Sequence, residues 1–247
     1  MKHPQKIQKV SFQTLTAIAL IAAVSACGGG STEDRSGEQE PPADTAPKAG
    51  TDAAAELEKA QLDQFGDAKL IPEQSEQGIY AELDATQRAE KLRESIELDK
   101  PECMDAVNQW GQLPEVREAA ASLAAFARDS DTITHTLIQV PEETAKEALD
   151  TTPPSECSTY QATLDDGTTS SYTVEDIDME TVADDSRAFS VTTDTGEDQM
   201  ELHTLIYRNG DYLAATSIAG PNENGDYAET LAAFAKKALE RENEVLG

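Results

Sequence analysis

Two dipeptides in the second half of the chain, Asp166-Gly167 and Asn209-Gly210, restrict the fold most strongly. Each separates two segments rich in Thr, Tyr, Val, Ile and Phe, and such dipeptides are the strongest short-range signals for a β-hairpin. Consecutive hairpins form an antiparallel meander, and Asp194-Thr195-Gly196 predicts a third, weaker turn. Strands are therefore predicted at residues 158–164, 169–177, 187–194, 199–208 and 211–219.

Short helices are predicted before this meander. Residues 57–65 form one candidate, Asp84 is placed to cap a helix that contains Leu92 and Ile96, and a helix opens at Pro141 and runs to Leu149. After the meander, Asp226 is placed to cap a terminal helix, because Glu229 follows three residues later. The apolar stripe of that helix would lie across one face of the sheet.

The strand-like segment 132–140 adds a sixth strand. The sequence therefore predicts an α+β fold, a single domain with an antiparallel meander sheet of about six strands flanked by helices. Residues 116–127 leave both assignments open, because their composition favours a helix and their position before a strand favours a strand.

The first 26 residues have the pattern of an export signal. Three lysines precede an apolar run at residues 15–24, and a basic segment before a short apolar segment is typical of a signal peptide. A membrane-spanning helix needs about 18 to 20 apolar residues, which is more than this run contains. We therefore expect residues 1–26 to be removed on export.

The apolar run ends in Val24-Ser25-Ala26-Cys27, which resembles the lipobox of bacterial lipoproteins. The resemblance implies that Cys27 is acylated and becomes the first residue of the mature protein. Ordinary secretion, with Cys27 left as a free thiol, is the alternative. The lipobox predicts a lipid-anchored protein, palmitoylated at the cysteine and attached to the extracytoplasmic face of the cell membrane.

Residues 27–56 contain Gly, Pro, Ser, Thr, Ala and charged residues without apolar periodicity, and so predict a disordered tether. A flexible chain of this length reaches about 30 Å. Residues 57–247 then form one extracytoplasmic domain, large enough to bury a core.

The chain is strongly acidic, with 48 Asp and Glu against 19 Lys and Arg and a net charge of −29. Such a surface repels nucleic acid and anionic lipid. We therefore expect that the protein has no nucleic-acid partner and that it contacts the membrane through its acyl chains alone. Acidic runs such as Asp165-Asp166, Asp184-Asp185 and residues 175–178 could bind cations, but a solvated surface is the simpler interpretation. No segment has the ligand spacing of an EF-hand, and no metal or other cofactor is predicted.

Cys103 and Cys157 form an even pair once Cys27 is assigned to lipid. In an oxidising compartment such a pair predicts a disulfide. A redox or catalytic thiol is the alternative, and it would need a nearby histidine or a second cysteine two residues away.

The mature chain has two histidines, His135 and His203, each within a strand-like segment and without a known catalytic motif. We therefore predict that the domain is not an enzyme and has no catalytic residue. If the domain has a ligand cleft, the first candidates to line it are Trp110, Tyr160 and Tyr207, followed by Tyr172 and Tyr212. Core packing is the simpler role for each aromatic residue.

The chain resembles actinobacterial lipoproteins that carry a PknH-like extracellular sensor domain. The resemblance rests on the order of its features, which are the lipobox, tether, helix, Pro101-Glu102-Cys103, strands, second cysteine, meander and terminal helix. The resemblance implies an antiparallel sheet flanked by helices, held by disulfides, with a ligand cleft. Members often have a second cysteine pair, which this chain lacks.

Two functional hypotheses follow. The domain is a non-catalytic ligand-binding or sensor module for a small molecule of unknown identity, or it is a structural envelope protein that acts through protein contacts. A deep apolar cleft would favour the first, and a filled core with shallow grooves would favour the second.

The lipobox predicts that membrane attachment depends on Cys27. A Cys27→Ala substitution should release the protein into the medium or leave it unprocessed, since no other anchor is predicted. Fractionation of cells with immunoblotting measures this distribution. A processed Cys27→Ala protein that stays with the membrane would contradict the lipid anchor.

Overall fold

The computed structural model describes residues 49–196, 198–223 and 225–247, so that the predicted leader, Cys27 and most of the predicted tether lie outside the described residues. Within those ranges the chain has an α+β fold. The helices are α1 (Ala49–Ala60), α2 (Asp84–Glu94), α3 (Pro114–Arg117), α4 (Glu142–Asp150) and α5 (Tyr227–Val245). The strands are β1 (Gln64–Phe65), β2 (Ala68–Leu70), β3 (Glu76–Ile79), β4 (Ile96–Leu98), β5 (Ala120–Arg128), β6 (Asp131–Gln139), β7 (Thr159–Leu164), β8 (Thr169–Ile177), β9 (Asp185–Asp194), β10 (Gln199–Asn209) and β11 (Tyr212–Gly220).

One antiparallel sheet contains all of these strands. Ten of them follow the order β1-β2-β5-β6-β11-β10-β9-β8-β7-β4, and β3 pairs with β5 off this path. The outer strands β1 and β4 are only two and three residues long. Short edge strands present few unpaired backbone groups and so limit unwanted strand pairing.

The predicted meander is confirmed, but the expectation of about six strands is wrong. The six predicted strands correspond to β6 through β11, and the hairpin glycines Gly167 and Gly210 have φ angles of 85° and 59°. Four of the missed strands, β1 to β4, are two to four residues long. Such segments carry too few residues to show alternation, and tertiary pairing alone makes them strands.

The fifth missed strand, β5, decides the open assignment of residues 116–127. After one turn of helix in α3, the alanine-rich segment Ala120–Arg128 forms an internal strand between β6 and the short strands β2 and β3. Its small side chains are mostly buried and lie close to α1. Alanine favours a helix locally, but burial on both faces of a sheet overrides that preference.

The helix boundaries differ from those expected at two places. Helix α1 begins at Ala49 and includes residues 49–56, which the sequence assigned to the tether, and it ends before Phe65. Ala54, Leu57 and Ala60 are buried at a three-residue spacing, which fixes this helix on the sheet. Helix α2 begins at Asp84, but Leu83 is its cap residue in place of the predicted Asp84, and Ile96 belongs to β4.

Both faces of the central strands are covered. On β10, Leu205 and Tyr207 enter a core beneath α1 and α5, whereas Ile206 enters a second core beneath α4. On β11, Ala214 and Leu213 divide between the two cores in the same way. This alternation follows from the two-residue period of a strand.

A disulfide joins Cys103 and Cys157, whose Cα atoms are 5.4 Å apart. Both cysteines are buried in a third, smaller cluster with Leu98 and Ala162 at the β4 and β7 edge of the sheet. The bond therefore fastens the segment after β4 to the segment before β7. The geometry lies within the range in which two cysteines can be bridged.

We expect loss of this disulfide to destabilise the domain. The bond closes a loop with a sequence separation of 54, and replacing both cysteines with serine should lower the free energy of unfolding by about 4 kcal/mol. Guanidinium unfolding with and without reductant measures the effect. A wild-type midpoint that does not change on reduction would contradict this role, and free thiols in non-reducing peptide mapping would contradict the bond itself.

Candidate functional site

Both histidines of the described chain lie on the same face of the sheet, beneath helix α5. The ring of His135, on β6, lies 5.3 Å from the ring of Phe234, between centroids. The ring of His203, on β10, lies 5.3 Å from that of Tyr227 with the two planes nearly perpendicular. Their positions follow from strand alternation, which places each on the face that α5 covers.

His135 belongs to a buried polar cluster inside the apolar core. Its Nδ1 is 2.9 Å from the Thr216 hydroxyl, and its Nε2 is 3.5 Å from Oε1 of Glu242. The Tyr207 hydroxyl donates a hydrogen bond to the same carboxylate oxygen. The side chains of His135 and Glu242 are 1% and 0% exposed, so no substrate in solvent can reach them.

The electrostatics of this cluster are those of a structural site. Burial raises the pKa of Tyr207 well above its ordinary value, and the neighbouring Glu242 carboxylate raises it further. The hydroxyl therefore stays protonated and keeps donating to the carboxylate. A buried carboxyl group needs such a partner, because an unpaired one would carry a large desolvation cost.

His203 is half-buried and also has an acidic neighbour. Its Nε2 is 3.0 Å from Oε2 of Glu201, and the Asn222 amide donates to that oxygen at 2.6 Å. The nearby Thr204 and Ser217 hydroxyls bond to each other at 2.8 Å, on strand positions that face away from His203. Ser190 on β9 is the cross-strand partner of His203 and lies on the same face of the sheet, but no hydrogen bond joins the two, and Nδ1 of His203 has no hydrogen-bond partner in the described residues.

The three first candidates for a ligand cleft lie in three separate apolar clusters. Trp110 packs beside Tyr80 in the core under α4, with ring centroids 5.8 Å apart. Tyr160 stacks on Tyr172 near the disulfide, with centroids 5.0 Å apart. Tyr207 is fully buried in the α5 core. The structure therefore does not bring these three side chains together, since each fills space in a different part of the fold.

Tyr160 and Tyr172 are cross-strand partners on β7 and β8. Burial raises the pKa of Tyr160 to about 12, and the adjacent Tyr172 contributes in the same direction. The pair is only partly exposed and packs against the disulfide cluster. Its geometry is that of a stabilising aromatic contact between neighbouring strands.

An open surface groove lies along the outer side of α5. We call it the α5 groove; it has a volume of about 650 Å³ and is open to solvent rather than enclosed. One wall is the β8 to β9 connection, with Met179, Val182 and Ala183, and the other is α5, with Ala228 and Ala232. Apolar side chains thus line much of an accessible surface.

The rims of the α5 groove are charged. Glu180 on the connection and Glu229 on the helix are exposed, and Lys236 lies further along the helix wall. Residues 178–185, which contain the connection, have four acidic residues and no basic residue. A groove with an apolar lining and charged rims suits a ligand that has both apolar and charged groups.

A smaller groove of about 340 Å³ lies between α1, the end of α5 and the adjacent ends of β6 and β11. Leu57, Gln139 and Tyr212 contribute to its lining. None of the three first candidate aromatic residues lines either groove.

Residues 49–196, 198–223 and 225–247 contain no group of three His, Cys, Asp or Glu side chains placed to hold a metal ion. In the same ranges, no helix has both the length and the apolar character needed to cross a membrane.

No protein-family model and no curated protein matches the chain. Among solved structures, the chain is similar to the extracellular domain of PknH from Mycobacterium tuberculosis, with 11% identity and a TM-score of 0.43 over 59% of this chain and 78% of that one. It is also similar to an uncharacterized protein from Mycobacterium smegmatis, with 15% identity and a TM-score of 0.39 over 58% and 75% of the two chains. Values this low assign neither a family nor an activity.

Sequence reasoning did not identify the α5 groove. Met179 lies between two acidic residues and Val182 between Thr181 and Ala183, and Ala228 and Ala232 carry side chains too small to dominate an apolar pattern. The one available signal was the four-residue spacing of these alanines, which places them on one side of a helix. The wall opposite them is set by tertiary folding.

The buried cluster predicts a marked loss of stability when the Tyr207 hydroxyl is removed. A Tyr207→Phe substitution leaves the buried Glu242 carboxylate without its donor and should cost about 2 kcal/mol in the free energy of unfolding. Chemical denaturation measures this cost. The control is Tyr212→Phe, at a half-buried tyrosine on β11, for which we expect a change within about 0.5 kcal/mol. Equal stability of the two variants would contradict the role of the cluster.

Proposed function

We propose that this chain is a lipid-anchored protein of the extracytoplasmic face whose folded domain binds a partner and catalyses no reaction. The lipobox at Cys27 supports the anchor and the location. The structural use of both histidines supports a non-catalytic role, because His135 is sealed in the core and the ring of His203 is bonded to Glu201 and to no serine or cysteine of the described chain.

The open, mainly apolar α5 groove is the observation that carries the binding role. Exposed apolar surface is costly in water, and a groove of this kind between two structural elements is typical of an interaction site. The domain is otherwise acidic, with a net charge of −29 for the full chain. Within this acidic surface, a partner that covers the apolar residues of the groove would bury apolar area.

The shape of the groove favours a macromolecular partner. A small molecule binds best in a cleft that buries most of its surface, about 70 to 90%, and the α5 groove is open instead. The aromatic residues that could have built a deeper cleft are used in separate cores. Of the two hypotheses from the sequence, contact with an envelope protein is therefore favoured over a small-molecule sensor.

Native mass spectrometry of the protein purified from its own host tests this function. We expect a bound polypeptide to accompany the wild-type domain, because the groove offers contact area along a helix. Ala232→Trp fills the groove and should remove that polypeptide, whereas Ala89→Trp, at an exposed alanine of α2, should not. A co-purifying small molecule, retained by both variants, would contradict the proposal.

An assay of ester, peptide and glycoside hydrolysis by the purified wild-type protein tests the non-catalytic part of the proposal. We expect no turnover above that of matched His135→Ala and His203→Ala variants. Turnover that disappears in either variant would establish a catalytic role for that histidine and overturn the non-catalytic part of the proposal.

A further inference from the structure

We infer that the α5 groove binds an apolar peptide segment that carries Lys or Arg on the side facing residues 178–185. This inference rests on the proposed function and names the chemistry of its partner. The observations behind it are the length of the groove, its open side and the distribution of charge on its two walls.

The dimensions of the groove fit a peptide. Its helix wall extends from Ala228 to Leu239, a distance of about 16 Å at 1.5 Å per residue. That length matches three turns of a partner helix or about five residues of extended chain. A groove open on one side lets a polymer lie along it with one face buried and the other in solvent.

The charges of the connection define the partner's basic side. Asp178 and Glu180 are exposed and form no ion pair with a basic side chain of the described chain, whereas Asp184 is held by Arg208 at 3.0 Å. Glu229 adds a free carboxylate on the opposite rim. Lys or Arg side chains of a peptide would meet these carboxylates at the edge of the apolar contact, which gives register and specificity.

The same charges argue against other occupants. A second copy of this chain brings the same acidic wall, so that two copies repel each other at the groove. Nucleic acid and anionic lipid are repelled for the same reason. Lys236 is the one cation among the lining residues of the groove.

Fluorescence anisotropy with two synthetic peptides of about twelve residues, three helical turns, tests the inference. Both peptides have the same leucine stripe. The Leu/Lys peptide has lysine at the remaining positions, and the Leu/Gln peptide has glutamine there. The processed wild-type protein should bind the Leu/Lys peptide more tightly. Ala232→Trp should weaken that binding about tenfold, as expected for a filled hot spot, while Ala89→Trp should leave it unchanged.

A charge-matched comparison separates local contacts from the overall acidity of the chain. Glu180→Gln with Glu229→Gln should weaken binding of the Leu/Lys peptide about threefold relative to Glu94→Gln with Glu118→Gln. All four residues are exposed, so that these variants keep the test valid even if Ala232→Trp does not fold. Equal binding by the two pairs would overturn the inferred basic partner.

The outcomes distinguish the inference from the function on which it rests. If the Leu/Gln peptide binds as tightly and Ala232→Trp blocks it, the groove is a binding site but its partner is not basic. If Ala232→Trp binds both peptides as well as Ala89→Trp does, the groove is not the site and the proposed function loses its support. If neither peptide binds the wild type, the inference fails, while native mass spectrometry still tests the groove.

Discussion

Strands β10 and β11 lie at the centre of the sheet, and their alternating side chains supply both cores. Leu205 and Ala214 pack under α5 and α1, while Ile206 and Leu213 pack under α4. A register shift of one residue would exchange these sets and place each against the wrong helix. The nine-residue pairing of β10 with β11, closed by the turn at Gly210, prevents such a shift. The helices, and the surface they form, depend on this pairing.

Helix α5 is held on the sheet by polar contacts at both ends as well as by apolar packing. Near its start, Asp226 binds Arg128 at 3.1 Å and the Tyr227 hydroxyl donates to Asp131 at 2.6 Å. Asp226 therefore pairs with a strand residue, although the sequence predicted that its side chain would cap the helix. Near the end, Glu242 accepts from Tyr207. These contacts fix the rotation of α5, which leaves its alanines beside the β8 to β9 connection.

The sequence predicted the fold wherever the pattern was local and long. Six strands of six or more residues, with turn signals between three pairs of them, were recognisable from alternation and turn chemistry. The short strands β1 to β4 and the alanine-rich β5 were not, because distant segments supply their partners and their burial. The start of α1 was missed for the same reason, since its alanines gain their role only by packing on the sheet.

Sequence alone thus determined the composition, the predicted export and lipid signals, the pairing of Cys103 with Cys157 and the meander. Tertiary structure decided the site. It divided Trp110, Tyr160 and Tyr207 among three clusters, because large aromatic side chains gain most by filling a core. It also set the β8 to β9 connection beside α5, two segments about fifty residues apart along the chain. A groove formed between distant segments leaves no periodic signal in either one, so that only the folded chain reveals it.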